Sequence, residues 1–224
     1  MSSDFWRRDV FKVIMVGCLV FIVLTVIAMF SYPGGTMTDE NTQGYSFFGN
    51  FFSELGMLHT HAGGPKPVSF LLFVIAMVLV SLGMVLFFLS IPGFYRRTRT
   101  GRILGAVGSV LGIASALFFV GVAVFPLDVN LPMHALMVVW AFRLFPAAVL
   151  CYVVVLFKEK GISYIWGWEL VAFLLFLIAY ILLLELGPGT GSLAGMIIQS
   201  VGQKIIVYAS CISVLLQSWG LLRM

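Results

Sequence analysis

Histidine occurs three times in the chain, as His59, His61 and His134, and carboxylates stand close in sequence at Glu54 and Asp128. Neutral imidazole with carboxylate is an ordinary ligand set for zinc or non-haem iron. His59, His61, His134 and Asp128 are therefore a candidate metal set, with Glu54 as the base of a metal-assisted hydrolysis. The spacing speaks weakly for it. His-x-His in a loop lacks the i, i+4 pair on one helix face that gives His-Glu-x-x-His its specificity. Imidazoles that hydrogen-bond loop backbone or lipid headgroups fit the same residues, and nothing else in the chain calls for a cofactor.

Arg143 and Lys204 carry a second kind of chemistry, because each lies inside a long apolar run. A cation at that depth costs at least ~2.5–3.5 kcal/mol on insertion scales, which makes it a functional candidate. Glu54 and Asp128 are the available counter-ions. With Gln203, these residues would make a cationic pocket for a lipid headgroup, a carboxylate or a phosphate. The same charges would equally serve as a structural ion pair tying a loop to a bundle. Gln199, Gln203, Ser210 and Gln217 fall on one narrow arc at 3.6 residues per turn, so they face other helices or a wet cavity rather than lipid. Glu169 and Glu185 lie near the ends of their run, within reach of water.

The elements that must position these groups follow from composition. Of 224 residues, 61% are hydrophobic and 10% charged, and the mean hydropathy is +1.10. Soluble domains carry roughly 25% charged residues, so a water-soluble domain, a disordered chain and a disulfide scaffold are all excluded. Apolar runs near 10–31, 67–91, 102–125, 134–157, 164–185 and 193–222 are each long enough to cross a hydrocarbon core of about 30 Å. Breaks at Tyr32-Pro33-Gly34-Gly35, Ile91-Pro92-Gly93, Phe125-Pro126, Lys158-Glu159-Lys160-Gly161 and Gly187-Pro188-Gly189 separate them. The runs are too long and too uniform for barrel strands. The expected fold is an all-α integral membrane bundle of six transmembrane helices in one domain.

With six spans and the N-terminus inside, the inner side collects Arg7, Arg8, Lys12, Arg96, Arg97, Arg99, Arg102, Lys158, Lys160 and Arg223, against Lys66 alone outside. That asymmetry places both termini in the cytoplasm of a plasma-membrane protein. Trp6, Tyr95, Trp166, Trp168 and Trp219 fall at the same inner interface. The net charge of +4 is explained by anionic lipid rather than nucleic acid. The first run is too long for a secretory signal and reads as retained. Cys18, Cys151 and Cys211 fall inside spans without Cys-x-x-Cys spacing and read as small buried hydrophobes. Gly105, Gly108, Gly112 and Ser115 make a smooth face on the third span for close helix approach.

The 32–66 segment is the long outer connection. Phe48, Phe51, Phe52, Leu55 and Leu58 repeat with helical spacing, opposite Asn50, Ser53 and Glu54, which predicts an amphipathic helix over 46–58. It ends at the breaker His59-Thr60-His61-Ala62-Gly63-Gly64-Pro65.

Phe51-Phe52-Ser53-Glu54-Leu55-Gly56 resembles the Ser-Asp-Leu-Gly element of a prokaryotic polytopic family known as domain of unknown function nine hundred and ninety-eight. Phe125-Pro126-Leu127-Asp128 with His134 looks like its Phe-Pro … His element, and Gly202-Gln203-Lys204 like its Gly-x-Arg element. Glu54 and Lys204 stand where that family has Asp and Arg, so charge is kept while bidentate geometry is lost. The resemblance implies a shared six-helix layout in which Ser53, Glu54, Asp128, His134 and Lys204 form one outward-facing constellation. A weaker similarity, to alkaline ceramidases and adipoQ-type receptors, implies a Ser, Asp and three-His zinc hydrolase. This chain departs from that pattern in having six spans and no His in the last.

Three functions remain open at this level. The favoured one is a non-enzymatic protein that binds a lipid, a small anion or a membrane partner in an outer polar pocket. The others are the metal-dependent lipid hydrolase and a small transporter working as a homo-oligomer. No inverted repeat of the transporter kind is detectable between the halves.

Overall fold

A computed structural model describes residues 8–159 and 163–223. Trp6, Arg7, Lys160 and Gly161, part of the charge and turn pattern above, lie outside the described residues. Six helices are long and apolar enough to cross a membrane: α1 Val10–Phe30, α2 Pro67–Ser90, α3 Arg99–Val124, α4 Leu131–Lys158, α5 Tyr164–Leu186 and α6 Leu193–Leu222. At about 1.5 Å per residue the shortest of them spans roughly 30 Å. No β-strand occurs among the described residues.

Local chemistry sets the helix starts. Thr98, Asn130 and Ser192 each accept the backbone N–H three positions on, at 2.9, 3.1 and 3.1 Å, which satisfies one otherwise unpaired donor per helix. The Asn130 cap, with Pro132 in the first turn, starts α4 three residues before the expected 134. Pro146 lies inside α4 without ending it.

Each helix packs on its neighbour in sequence, and α6 returns to α1, so the six close a ring. The outward face is apolar: Val110, Leu117, Leu175 and Phe176 are all more than half exposed, as in a bundle surrounded by hydrocarbon. Polar atoms turn inward instead. Ser109 shares a hydrogen bond of 2.7 Å with the Tyr152 hydroxyl, which also donates to the Gly105 carbonyl at 2.9 Å. Ser115 donates to the Ala141 carbonyl at 2.9 Å. The small-residue face of α3 lets its neighbours come this close: a Cβ on Gly112 would stand 2.4 Å from the Phe88 ring. A methyl group there has no room.

Residues 31–66 fold over one end of the ring as a cap. The expected amphipathic helix over 46–58 is replaced by a single 3-10 turn, Phe52–Gly56, whose five residues are all buried. The reason is competition for the backbone. Gln203 accepts the Phe52 N–H at 2.8 Å, and Asp128 accepts those of Leu58 and His59 at 3.0 Å. Lys204 takes the Asn50 carbonyl, and Lys66 takes those of Glu54 and Leu55 at 2.6 and 2.9 Å. Groups a helix would pair internally are paired to the bundle instead. Gly34, Gly35 and Gly44 turn the preceding chain with positive φ angles.

Candidate functional site: a buried cationic cap

Phe52 seats the cap. Its ring packs edge-on or tilted against Phe21 of α1, Phe73 of α2 and Tyr208 of α6, with centroids 5.6–6.0 Å apart. Behind Phe52 the chain turns and buries Ser53 and Glu54, and a Cβ on Gly56 would meet the Phe73 ring at 2.5 Å. A glycine is required there.

Glu54, fully buried, is the acidic centre. Its Oε2 accepts from Asn50 Nδ2 at 2.5 Å and lies 3.2 Å from His61 Nε2, while Oε1 is buried with no hydrogen-bond partner. Asn50 is held in turn by the Gly35 carbonyl at 2.8 Å and the Ser46 N–H at 2.8 Å. The carboxylate beside it raises the pKa of His61.

Two lysines converge on the same segment from different helices. Lys66, at the start of α2, and Lys204, about three turns into α6, are 2% and 1% exposed. Lys66 also lies 5.0 Å from the Tyr32 ring centroid, and Lys204 lies 5.4 and 5.1 Å from those of Tyr45 and Phe47. Cation–π attraction partly replaces the lost water. Burial pulls Lys66 down to about 8, against the opposing fields of Asp128 and Glu54. Burial, with Glu54 next, pushes the Tyr32 and Tyr45 hydroxyls up.

The remaining expected site residues divide clearly. Gln203 and Ser53 join the cluster, Gln203 through its carbonyl to the Phe52 and Ser53 amides and Ser53 by its backbone. Asp128 fastens the cap's edge, near His59 Nδ1 at 3.4 Å. His134 Nδ1 faces the Phe125 carbonyl at 2.8 Å, and its buried Nε2 has no partner. Arg143 is not part of the site. It pairs with Glu185 of α5 at 2.5 Å, both side chains about half exposed, so its counter-ion is neither Glu54 nor Asp128. Glu185 is near enough to the end of α5 for Arg143 to reach it outside the ring.

The proposed metal ligands are likewise dispersed, His61 to Glu54, His59 to Asp128 and His134 to backbone. Among the described residues no three His, Cys, Asp or Glu side chains group as a metal site. The polar arc of α6 is used for cross-links: Gln199 donates to the Leu183 carbonyl at 2.8 Å, and Gln217 to the Trp166 carbonyl at 3.0 Å and to Glu169 at 2.5 Å.

Sequence reasoning missed Lys66, Asn50, Tyr32 and Tyr45 as members of the cluster. The signal for Lys66 in the sequence is that it is the one lysine or arginine of the 32–66 segment. Comparison with protein families, curated proteins and solved structures finds no match for the chain.

Proposed function

We propose that the chain is a multi-pass plasma-membrane protein with both termini in the cytoplasm. Its exoplasmic cap holds one anionic group, a phosphate or carboxylate of a lipid headgroup or small ligand, beside Lys66 and Lys204. The observation that carries this reading is that, among the described residues, neither buried ammonium group forms an ion pair. Lys66 and Lys204 bond to carbonyls, while Glu54 and Asp128 stand near without direct contact, and His61 adds positive charge when protonated. Buried charge without a matching partner is costly, and an incoming anion supplies that partner. Each ammonium has three protons and uses two on carbonyls, which leaves one for a ligand.

The setting suits a lipid. Met37, Phe47 and Phe48 on the cap are 51%, 44% and 60% exposed, as apolar side chains at a membrane interface are. The basic residues at the opposite end support a cytoplasmic face there. The resemblance to domain of unknown function nine hundred and ninety-eight points to the same outer group, Ser53, Glu54 and Lys204.

Native mass spectrometry of protein extracted in mild detergent tests the reading. The wild-type chain should retain one anionic phospholipid, and Lys204→Gln and Lys66→Gln should lose it. Lipid-free wild type that takes up neither phosphatidylglycerol nor inorganic phosphate would overturn the proposal.

A further inference from the structure

Away from the cap, α1, α2, α3, α4 and α6 line a cavity of about 50 Å³. Most of the wall is Phe and Val. Its donor atoms are unusual. Cys18 of α1 and Cys211 of α6 both line it and both are buried, on two helices that pack against each other. Met77 and Met84 of α2, seven positions apart and so on one helix face, line it as well. Ser210 is the remaining polar residue of the wall, and its hydroxyl is bonded back to the Ile206 carbonyl at 2.7 Å. No carboxylate or imidazole belongs to the wall.

Two thiols and two thioethers lining one space are a soft donor set. Thiolates alone would also suit zinc or an iron–sulfur cluster, but zinc takes Cys, His or carboxylate rather than thioether, calcium and magnesium take oxygen, and two thioethers beside two thiols favour Cu(I). Charge agrees. One thiolate with a monovalent cation is neutral, so the complex sits in an apolar wall without the penalty of an isolated charge. The space also exceeds the ~10–15 Å³ that a single water requires.

We propose that Cys18 and Cys211, backed by Met77 and Met84, form an intramembrane site for one Cu(I) ion. Binding is an exchange without redox change: one Cys–S–H bond breaks, one S–Cu bond forms, and the proton leaves to solvent. The second thiol and the thioethers complete the coordination as neutral donors. The site is separate from the cap, so either proposal can fail while the other stands.

The test uses the reduced full-length protein in detergent, titrated anaerobically with Cu(I) against a chromogenic Cu(I) chelator. Wild type should bind one equivalent, and so should Cys151→Ser, because Cys151 does not line the cavity. Cys18→Ser/Cys211→Ser should bind none, and Met77→Leu/Met84→Leu should bind about 10–100-fold more weakly. X-ray absorption of the wild-type complex, which needs no variant, should show sulfur-only coordination. Nitrogen or oxygen ligands in that spectrum would overturn the proposal. So would unchanged binding in the double serine variant, or no binding by wild type with three free thiols.

Discussion

Lys204 of α6 donates its ammonium to the carbonyl of Asn50, 154 positions earlier in the chain. One residue earlier, Gln203 accepts the Phe52 N–H at 2.8 Å. Adjacent side chains at one level of α6 thus take a carbonyl and an amide from either side of Phe51, and this clamp sets the path of the cap.

Glu54 is the carboxylate that both buried lysines face, and Glu54→Gln keeps its shape while removing its charge. Hydrogen bonds to charged groups are worth about 1.5–3 kcal/mol, so a loss of that order is expected. Thermal unfolding in detergent should show it, with a rescue toward wild type in Glu54→Gln/Lys66→Met. An unshifted midpoint for Glu54→Gln alone would mean that the charge does not hold the cap.

Stability should vary with pH in a definite pattern. His61 is raised by Glu54, so its contribution is complete below the ordinary value of about 6.5 and is lost as pH climbs through the raised one. Lys66 is lowered to about 8. Between there and about 10 the unfolded chain holds a proton that the folded chain has released, so stability rises with pH. Above about 10, Tyr32 and Tyr45 reverse the trend, because burial raises both hydroxyls. Unfolding midpoints from pH 7 to 10 should climb in wild type and climb less steeply in Lys66→Met.

Glycines on α3 should differ from one on α1. A Cβ on Gly112 or Gly108 would meet the Phe88 or Tyr152 ring at 2.4 or 2.9 Å, while one on Gly17 has nothing within 4 Å. Overpacking of this kind costs about 1–3 kcal/mol. Gly112→Ala and Gly108→Ala should lower the unfolding midpoint, and Gly17→Ala should leave it or raise it.

Arg143→Ala should leave lipid retention by the cap unchanged. Its pairing with Glu185 is about half exposed, and such pairs contribute about 0–1 kcal/mol. Loss of the bound anion in this variant, measured by native mass spectrometry, would place Arg143 in the cap's machinery after all.

How much of this could be read from sequence differs by element. The six helices were legible because hydrocarbon demands long uninterrupted apolar runs, and the observed α1, α2, α5 and α6 lie within a residue of the expected bounds. The cap was not. Phe48, Phe51, Phe52 and Leu55 repeat as in a helix, yet the backbone of 50–59 is claimed by Lys66, Asp128, Gln203 and Lys204, which are distant in sequence. Local periodicity cannot register such competitors. The cost of intramembrane charge pointed to Lys204 with Glu54, the polar arc of α6 to Gln203, and the family resemblance to Ser53, but the charge argument also grouped Arg143 with them, and it pairs with Glu185 instead. Depth along a helix does not tell which way a long side chain reaches, and Glu185 was near enough to claim it.

Hydrogen–deuterium exchange over residues 50–59 tests the clamp most directly. Slow exchange is expected for the amides of Phe52, Leu58 and His59 in wild type, whose acceptors are Gln203 and Asp128. Lys204→Met should speed exchange near Phe52 by at least tenfold, about 1.4 kcal/mol, while leaving α3 and α4 protected. Fast exchange across the segment in wild type, or no change in Lys204→Met, would contradict a cap held down by α6.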